Sequence, residues 1–172
     1  KKWIKNIKKS SITIYEDSYG LVWFGGIATG LFCYDPYKDT ISQFNSDPKN
    51  PLTIRDNTIF SFCEDQSKTL WFGTNKGLDR YNRSNNNFTR ITQKDGFLSY
   101  GIAQILEDDD GNLWMSTRHG ITKFNPSTFQ FKNYYASAEF KGIKFSDLKV
   151  GCRTINGEMY FGGENGFIRF HP

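Results

Sequence analysis

Elements typical of membrane proteins are missing from this 172-residue chain. No apolar run approaches the ~20 residues that a membrane-spanning helix needs. The N-terminal stretch "KKWIKNIKKSS" has the positive charge of a signal peptide but lacks the apolar segment that must follow. The chain also begins with Lys1 instead of Met, which predicts that it is a segment of a longer protein.

Cysteine and histidine are scarce. The three cysteines include no Cys-x-x-Cys pair, and the two histidines lack metal-ligand spacing. Cys63 and Cys152 fall at the same place in two repeats of the chain and are interpreted as small buried apolar residues. A Gly-x-Ser-x-Gly nucleophile elbow and a phosphate-binding loop are also absent. The sequence therefore predicts no catalytic residue, no metal site and no cofactor.

An excess of charge is missing from most of the chain. The net charge is +4, but five lysines lie within the first nine residues, and the remainder is one unit negative. A near-neutral body argues against a surface that follows nucleic-acid phosphates. Residues 1–10 are interpreted as a basic strand or linker whose Trp3, Ile4 and Ile7 pack on the fold, and a nucleic-acid or membrane arm is the alternative.

What the chain does contain is one motif in four copies, of which the third reads "EDDDGNLWMSTRHGITKFNP". The copies share an anchor aromatic, which is Trp23, Trp71, Trp114 and Tyr160 in turn. The anchors are 48, 43 and 46 residues apart, and such a period with short strands is typical of four-stranded propeller blades.

Each copy predicts a run of short antiparallel strands. An acidic pair ends the first strand, an Asp-Gly type turn follows, and the second strand is apolar at consecutive positions, as expected of a strand buried on both faces. The predicted fold is all-β, with β-propeller blades in a partial ring of about 3.5–4 blades. The predicted divisions are the N-terminal segment 1–10, blade 1 at 11–44, blade 2 at 57–91, blade 3 at 100–134, and blade 4 at 145–172 without its outer strand.

The repeated acids admit a structural and a chemical interpretation. Asp108 recurs as Asp17 and Asp65 at a hairpin, where Asp side chains bond local backbone amides. Calcium would need oxygen ligands at further fixed offsets, which do not follow here. A propeller glycosidase is the enzymatic alternative, because "DDGNLW" is similar to the aspartate-box turn of sialidases, although Glu107 stands where that box begins with serine.

The blocks "ILEDDDGNLWMSTRHGITKFNP" and "FCEDQSKTLWFGTNKGLDRYN" resemble the two-component regulator propeller repeat, and the resemblance covers about residues 11–172. It implies the periplasmic sensor region of a Bacteroides-type hybrid two-component histidine kinase, anchored in the inner membrane. The copy "NGEMYFGGENGFIRFHP" is similar to the last blade of such sensors, which implies an immunoglobulin-like domain after it. The implied signal is an oligosaccharide, and no nucleic acid is expected to bind this segment.

Strand parity predicts a candidate ligand face. In an antiparallel blade, the turn between strands two and three lies at the same end as the blade-to-blade connections, which hold the loop aromatics Phe97 and Phe140. Aromatic platforms and planar polar side chains are the groups that hold sugars, and an Arg can meet an acidic sugar in bidentate fashion. The predicted ligand-binding residues are Asn75, Lys76, Arg118, His119, Glu164, Asn165, Tyr100 and Tyr135.

A partial ring leaves two open apolar blade faces, which favour association. Three outcomes fit the sequence: the segment around residues 2–7 completes blade 4 in a small closed ring, two copies pair, or the arc stays open. Pairing into a homodimer is the favoured hypothesis. The sequence thus predicts a non-catalytic carbohydrate-sensing propeller, with a scaffold or dimerisation platform and a propeller glycosidase as the alternatives.

Overall fold

The computed structural model describes residues 11–92, 95–97, 101–136, 140, 142–145 and 150–172. Within these ranges the chain forms four antiparallel sheets and no α-helix, which confirms the predicted all-β blades. Among the described residues no helix could cross a membrane. The strands are β1 (Ser11–Glu16), β2 (Val22–Gly26), β3 (Leu31–Asp35), β4 (Thr40–Phe44), β5 (Ile59–Glu64), β6 (Leu70–Thr74), β7 (Gly77–Asn82), β8 (Asn87–Ile91), β9 (Gln104–Glu107), β10 (Leu113–Thr117), β11 (Gly120–Asn125), β12 (Gln130–Tyr135), β13 (Gly151–Arg153), β14 (Met159–Gly163) and β15 (Gly166–Phe170).

The strands are ordered as consecutive meanders. Blades 1, 2 and 3 each hold four strands in chain order, whereas blade 4 holds β13, β14 and β15. The second strands β6 and β10 are buried along their whole length, because both faces of each blade are covered by neighbours. At Gly73 the sheets converge so closely that an added Cβ would lie 2.8 Å from the carbonyl oxygen of Ile102 in the next blade.

Each blade interface is built around the anchor tryptophan. Trp23 packs at 5.0 Å from the ring of Tyr81 in blade 2, and Trp71 packs at 5.7 Å from Phe124 in blade 3. Trp114 meets Phe170 of blade 4 at 4.8 Å. The core is therefore three stacked clusters, one between each pair of adjacent blades. Cys63 is half-buried against the second cluster, whereas Cys152 is exposed, so the prediction that both cysteines are buried is wrong for Cys152.

The repeated aspartate ties this tryptophan to its own hairpin. Oδ2 of Asp65 accepts a hydrogen bond from the indole Nε1–H of Trp71 at 2.7 Å, and Oδ1 accepts one from the backbone N–H of Thr69 at 2.9 Å. The same indole bond occurs from Trp23 to Asp17 and from Trp114 to Asp108, at 2.7 and 2.8 Å. The hairpin role predicted for the acids is thus present, and the indole partner was not foreseen from the sequence.

Blade 4 changes both members of the pair together. Thr154 stands in place of the aspartate and accepts the backbone N–H of Glu158 through Oγ1 at 3.1 Å, which preserves the hairpin bond. Tyr160 replaces the tryptophan, so the buried indole N–H that required a carboxylate is gone, and the Tyr160 hydroxyl donates to Glu158 at 3.2 Å. A buried donor and its acceptor are retained or removed as a unit, since leaving one of them alone is costly.

A second repeated contact joins one blade to the next at the end where the β1–β2 type hairpins lie. The Glu64 carboxylate of blade 2 accepts the backbone N–H and the hydroxyl of Ser18 in blade 1, at 2.7 and 2.9 Å. Glu107 of blade 3 accepts the backbone N–H of Gln66 in blade 2 at 3.0 Å. We call this contact the blade clasp.

In the third clasp an arginine stands in place of the glutamate, and a carboxylate stands in place of the uncharged partner. Arg153 occupies the place of Glu64 and Glu107, and its guanidinium is paired with Asp109, which occupies the place of Ser18 and Gln66. An arginine cannot accept the backbone amide, so the partner changes from an N–H group to a carboxylate. The clasp between blades 3 and 4 is therefore specific for its own pair.

A double-mutant cycle tests the indole bond. Trp71→Tyr leaves a buried oxygen of Asp65 without its donor, and Asp65→Thr leaves the Trp71 indole without its acceptor. The double variant reproduces the Thr154–Tyr160 pair, so we expect it to cost about 1–3 kcal/mol less than the sum of the two single changes. Urea unfolding measures this coupling, and strictly additive losses would contradict it.

The Arg153–Asp109 clasp gives a second prediction. Arg153→Glu places a carboxylate beside Asp109, and we expect a loss of about 1 kcal/mol because the pair is partly exposed. Adding Asp109→Ser recreates the Glu64–Ser18 arrangement and should recover that loss. Thermal unfolding of the three proteins checks this expectation, which fails when the added serine gives no recovery.

Candidate functional site

The turns between the second and third strands lie together with the blade-to-blade connections. The backbone N–H of Asn75 donates to the carbonyl of Thr58 at 3.1 Å, and the carbonyl of Asn75 accepts from Gly101 at 3.0 Å. In blade 3 the His119 carbonyl accepts the N–H of Ala136 at 2.9 Å. We call the turns at residues 27–29, 75–76, 118–119 and 164–165, with the described parts of the connections, the turn face.

The first connection, residues 45–58, is held rigidly on this face. The Arg90 guanidinium on β8 donates to four backbone carbonyls, including those of Asp47 and Asn50 at 3.0 and 2.9 Å. Ser46 donates its N–H to the Asn57 side chain at 2.7 Å. A long connection fixed by a half-buried cation offers a preorganised surface, because the loop needs little ordering on binding.

Asp79 lies fully buried under this connection. Its Oδ1 accepts the backbone N–H of Arg55 at 3.2 Å, and its Oδ2 has no partner among the described residues. Burial raises the pKa of Asp79 to about 8, although the Arg55 amide and the Arg90 charge oppose the shift. Sequence reasoning missed this network, because Asp79 stands where the other copies carry Phe32, Thr122 and Ile168.

Blade 3 places three predicted residues side by side. Arg118 and His119 form the exposed tip between β10 and β11, and Tyr135 ends β12 opposite Gly120 with a half-exposed ring. The Thr117 hydroxyl accepts the backbone N–H of His119 at 3.2 Å, which fixes the turn. The strand register thus places Tyr135 next to the turn that carries Arg118 and His119, at the edge of the turn face.

Blade 2 contributes Asn75 and Lys76, both exposed. The Lys76 ammonium lies 3.1 Å from the Asp56 carboxylate in the preceding connection, so this ion pair links the turn to that connection. Tyr100 lies outside the described residues. Of the loop aromatics on this face, Phe97 is buried in the cluster between blades 2 and 3.

Blade 4 uses one predicted residue for its own structure. The Asn165 side chain accepts the N–H of Lys144 at 2.9 Å and donates to the Gly142 carbonyl at 3.2 Å, which holds the last connection. Glu164 is exposed and donates its backbone N–H to the Lys144 carbonyl at 2.8 Å. Phe140 packs at 5.6 Å from Phe145 in the same connection.

The opposite end carries the acids that an enzymatic interpretation would use. Burial raises the pKa of Glu107, helped by the nearby charges of Asp65 and Asp108, although the Gln66 amide that it binds works against this. Burial acts in the same direction on Asp108, but hydrogen bonds from Trp114 and Asn112 outweigh it and lower the pKa of that carboxyl. These carboxylates are engaged in the hairpin and the clasp. The described residues contain no group of three or more metal-ligating side chains.

Comparison with known proteins adds the family context. The model of the two-component regulator propeller family matches residues 53–76 and 96–119, each running from a connection through the first two strands of a blade. A histidine kinase of Formosa agariphila, "Histidine kinase P4", is 28% identical over 90 residues, which are 51% of this chain and 6% of that protein.

Two solved structures from B. thetaiotaomicron superpose on the whole arc. The extracellular domain of a hybrid two-component system is 27% identical with a TM-score of 0.85, covering 98% of this chain and 22% of that chain. The extracellular domain of a one-component system is 22% identical with a TM-score of 0.78, covering all of this chain and 22% of the other, and shows the fold alone. The chain therefore spans less than a quarter of these relatives.

The buried Asp79 predicts how stability depends on pH. Its pKa in the folded protein lies above the ordinary value of ~4, so the protonated side chain is favoured by folding. The free energy of unfolding should fall as pH rises from ~4 to about 8. Asp79→Asn keeps the acceptor for Arg55 and removes the charge, so the variant should be the more stable by on the order of 1–3 kcal/mol at pH 8 and closer to the parent at pH 4.

Urea unfolding at the two pH values measures this difference. Asp110→Asn, at an exposed residue of the third hairpin, serves as the control and should leave the pH dependence unchanged. A pH dependence that persists in Asp79→Asn would contradict the assignment.

Proposed function

We propose that this chain, which carries two-component regulator propeller repeats as its sequence predicted, is part of the extracytoplasmic sensor of a two-component system. Its likeness to an extracellular domain of such a system over 98% of the chain supports this placement. The kinase, regulator and immunoglobulin-like parts that this role needs would belong to the rest of the parent protein. The role of these blades is to bind a signal molecule.

We propose an oligosaccharide as that signal. The observation that carries the proposal is the grouping of Tyr135 with Arg118 and His119 at the edge of the turn face. An exposed aromatic ring offers a platform for the C–H face of a sugar, and the guanidinium can bind hydroxyl or carboxylate oxygens. Asn75 and Lys76 extend the polar surface onto blade 2, and the fixed first connection supports it.

The role is binding and not catalysis. Hydrolysis of glycosides needs two carboxylates placed across a scissile bond. The repeated aspartates instead accept indole and backbone donors in their own hairpins, and the glutamates hold neighbouring blades. Such engaged groups favour a structural function for the acids, which leaves the turn face as the surface for recognition of the signal.

Isothermal titration with a panel of neutral and acidic oligosaccharides tests the proposal. We expect one class to bind, and Arg118→Ala with His119→Ala to weaken its affinity at least about ten-fold, because two polar contacts of about 1 kcal/mol or more each are lost. The control is Tyr37→Ala with Lys38→Ala, an exposed aromatic and cation in the turn between β3 and β4. It should bind as the parent does.

Two results would contradict the site. No heat of binding across the panel would favour a scaffold role for these blades. Equal weakening by both double variants would show that the loss does not come from the turn face.

A further inference from the structure

A guanidinium joins blades 1 and 2 at the hairpin end. Arg83, which follows β7, donates from Nη1 to Oδ2 of Asp17 in blade 1 at 3.0 Å and from Nη2 to Oε1 of Glu64 in blade 2 at 3.2 Å. The same guanidinium lies 4.4 Å from the centroid of the Tyr19 ring. Asp17 keeps its indole bond and Glu64 keeps its blade clasp, so these two carboxylates bind a guanidinium in addition to their structural bonds.

The same place between blades 2 and 3 holds a cleft instead of a side chain. Asp65 and Glu107 repeat the two carboxylates, but Pro126 stands where Arg83 stands in blade 2. The cleft has a volume of about 250 Å³, and the residues that line it include Asp65, Gln66, Glu107, Asp110, Pro126 and Ser127. We call it the blade 2–3 cleft. The chain therefore repeats the pair of carboxylates without the cation that joins them between blades 1 and 2.

The two carboxylates of this cleft have no cationic partner in the described part of the chain. Asp65 is only 7% exposed, yet neither it nor Glu107 forms an ion pair there, whereas Asp108 in blade 3 is paired with Lys123 at 3.3 Å. Oδ2 of Asp65 accepts the Trp71 indole and has a second lone pair available. A buried carboxylate is costly without an opposite charge, so the cleft favours a cationic ligand.

The chemistry of the cleft favours a guanidinium over a metal ion. Calcium takes about six to eight oxygen ligands, and the described residues contain no group of three or more metal-ligating side chains. A guanidinium needs only two carboxylates that accept its forked donors, which is how Arg83 is bound. Ser67 replaces the large Tyr19 ring, which leaves the cleft open for a side chain that enters from outside.

The rim of the cleft distinguishes an arginine within a polypeptide from the free amino acid. Asp110 is exposed on the lining and adds a further negative charge. The α-carboxylate of free arginine would be repelled by these acids, whereas a residue within a chain carries no such group.

We propose that the blade 2–3 cleft binds an arginine side chain of a polypeptide partner, with the guanidinium between Asp65 and Glu107 as that of Arg83 lies between Asp17 and Glu64. The cleft lies at the end of the blades opposite to the turn face. A protein contact there leaves the turn face open to a signal molecule, and the proposal does not rest on sugar binding.

An NMR titration with N-acetyl-L-arginine amide tests the site, because the Trp71 indole N–H bonded to Asp65 reports on it. We expect a saturable shift of that signal in the parent chain. Glu107→Gln keeps an acceptor for the Gln66 amide and removes the charge, so it should weaken binding at least about ten-fold. The matched control is Glu16→Gln, an exposed glutamate at the same strand position in blade 1, which should bind as the parent does.

Filling the cleft from within provides a second readout. Pro126→Arg recreates the Arg83 arrangement, so we expect it to weaken binding of the probe at least about ten-fold, since its own guanidinium occupies the two carboxylates. Thermal unfolding no lower than that of the parent shows that the variant is folded.

Four results would overturn the proposal. The first is a parent chain that gives no saturable shift, and the second is a Glu107→Gln variant that binds as tightly as the parent. Equal affinity for N-acetyl-L-lysine amide would show a site for any cation. Tighter binding of free L-arginine than of the blocked probe would show a site for a small molecule instead of a polypeptide.

Discussion

The hydrogen bond from the indole of each anchor tryptophan to the aspartate of its own hairpin is the interaction on which the rest depends. The tryptophan is the largest side chain in each interface, and it must lie between two blades to bury its rings. In that position water cannot accept a hydrogen bond from the indole N–H, and an unpaired buried donor costs about 1–3 kcal/mol. The aspartate accepts the indole N–H and a backbone N–H of the hairpin at the same time, so one residue orients the tryptophan and fixes the turn.

This arrangement gives the two ends of the arc different tasks. At the hairpin end, the carboxylates accept hydrogen bonds from indoles, from backbone amides and from groups of the neighbouring blade. At the turn face, the backbone of each turn is bonded to the adjoining connection, and the Asn165 side chain adds two more bonds in blade 4. Polar side chains such as Arg118 and Lys76 are therefore displayed on a rigid scaffold, which is the usual condition for a binding surface.

Much of the fold could be predicted from the sequence, because a repeat shows four times what a single segment shows once. The period located the anchors, and consecutive apolar residues in β6 and β10 indicated strands buried on both faces. For the turn face, the sequence predicted which turns and connections lie at the same end of the blades, but not which of their side chains are displayed. Whether Asn165 is displayed or bonded to the last connection depends on how residues 142–144 run over blade 4, which no local pattern specifies.

The sequence by itself determined the blades, their order, their hairpins and the family, since these depend on local alternation, turn residues and repetition. Tertiary structure alone decided the pairings across blades: Glu64 with Ser18, Arg153 with Asp109, and the buried Asp79 under the connection stapled by Arg90. The physical reason is distance along the chain. The clasp partners stand more than 40 residues apart, and only the rotation from one blade to the next brings them within hydrogen-bond range.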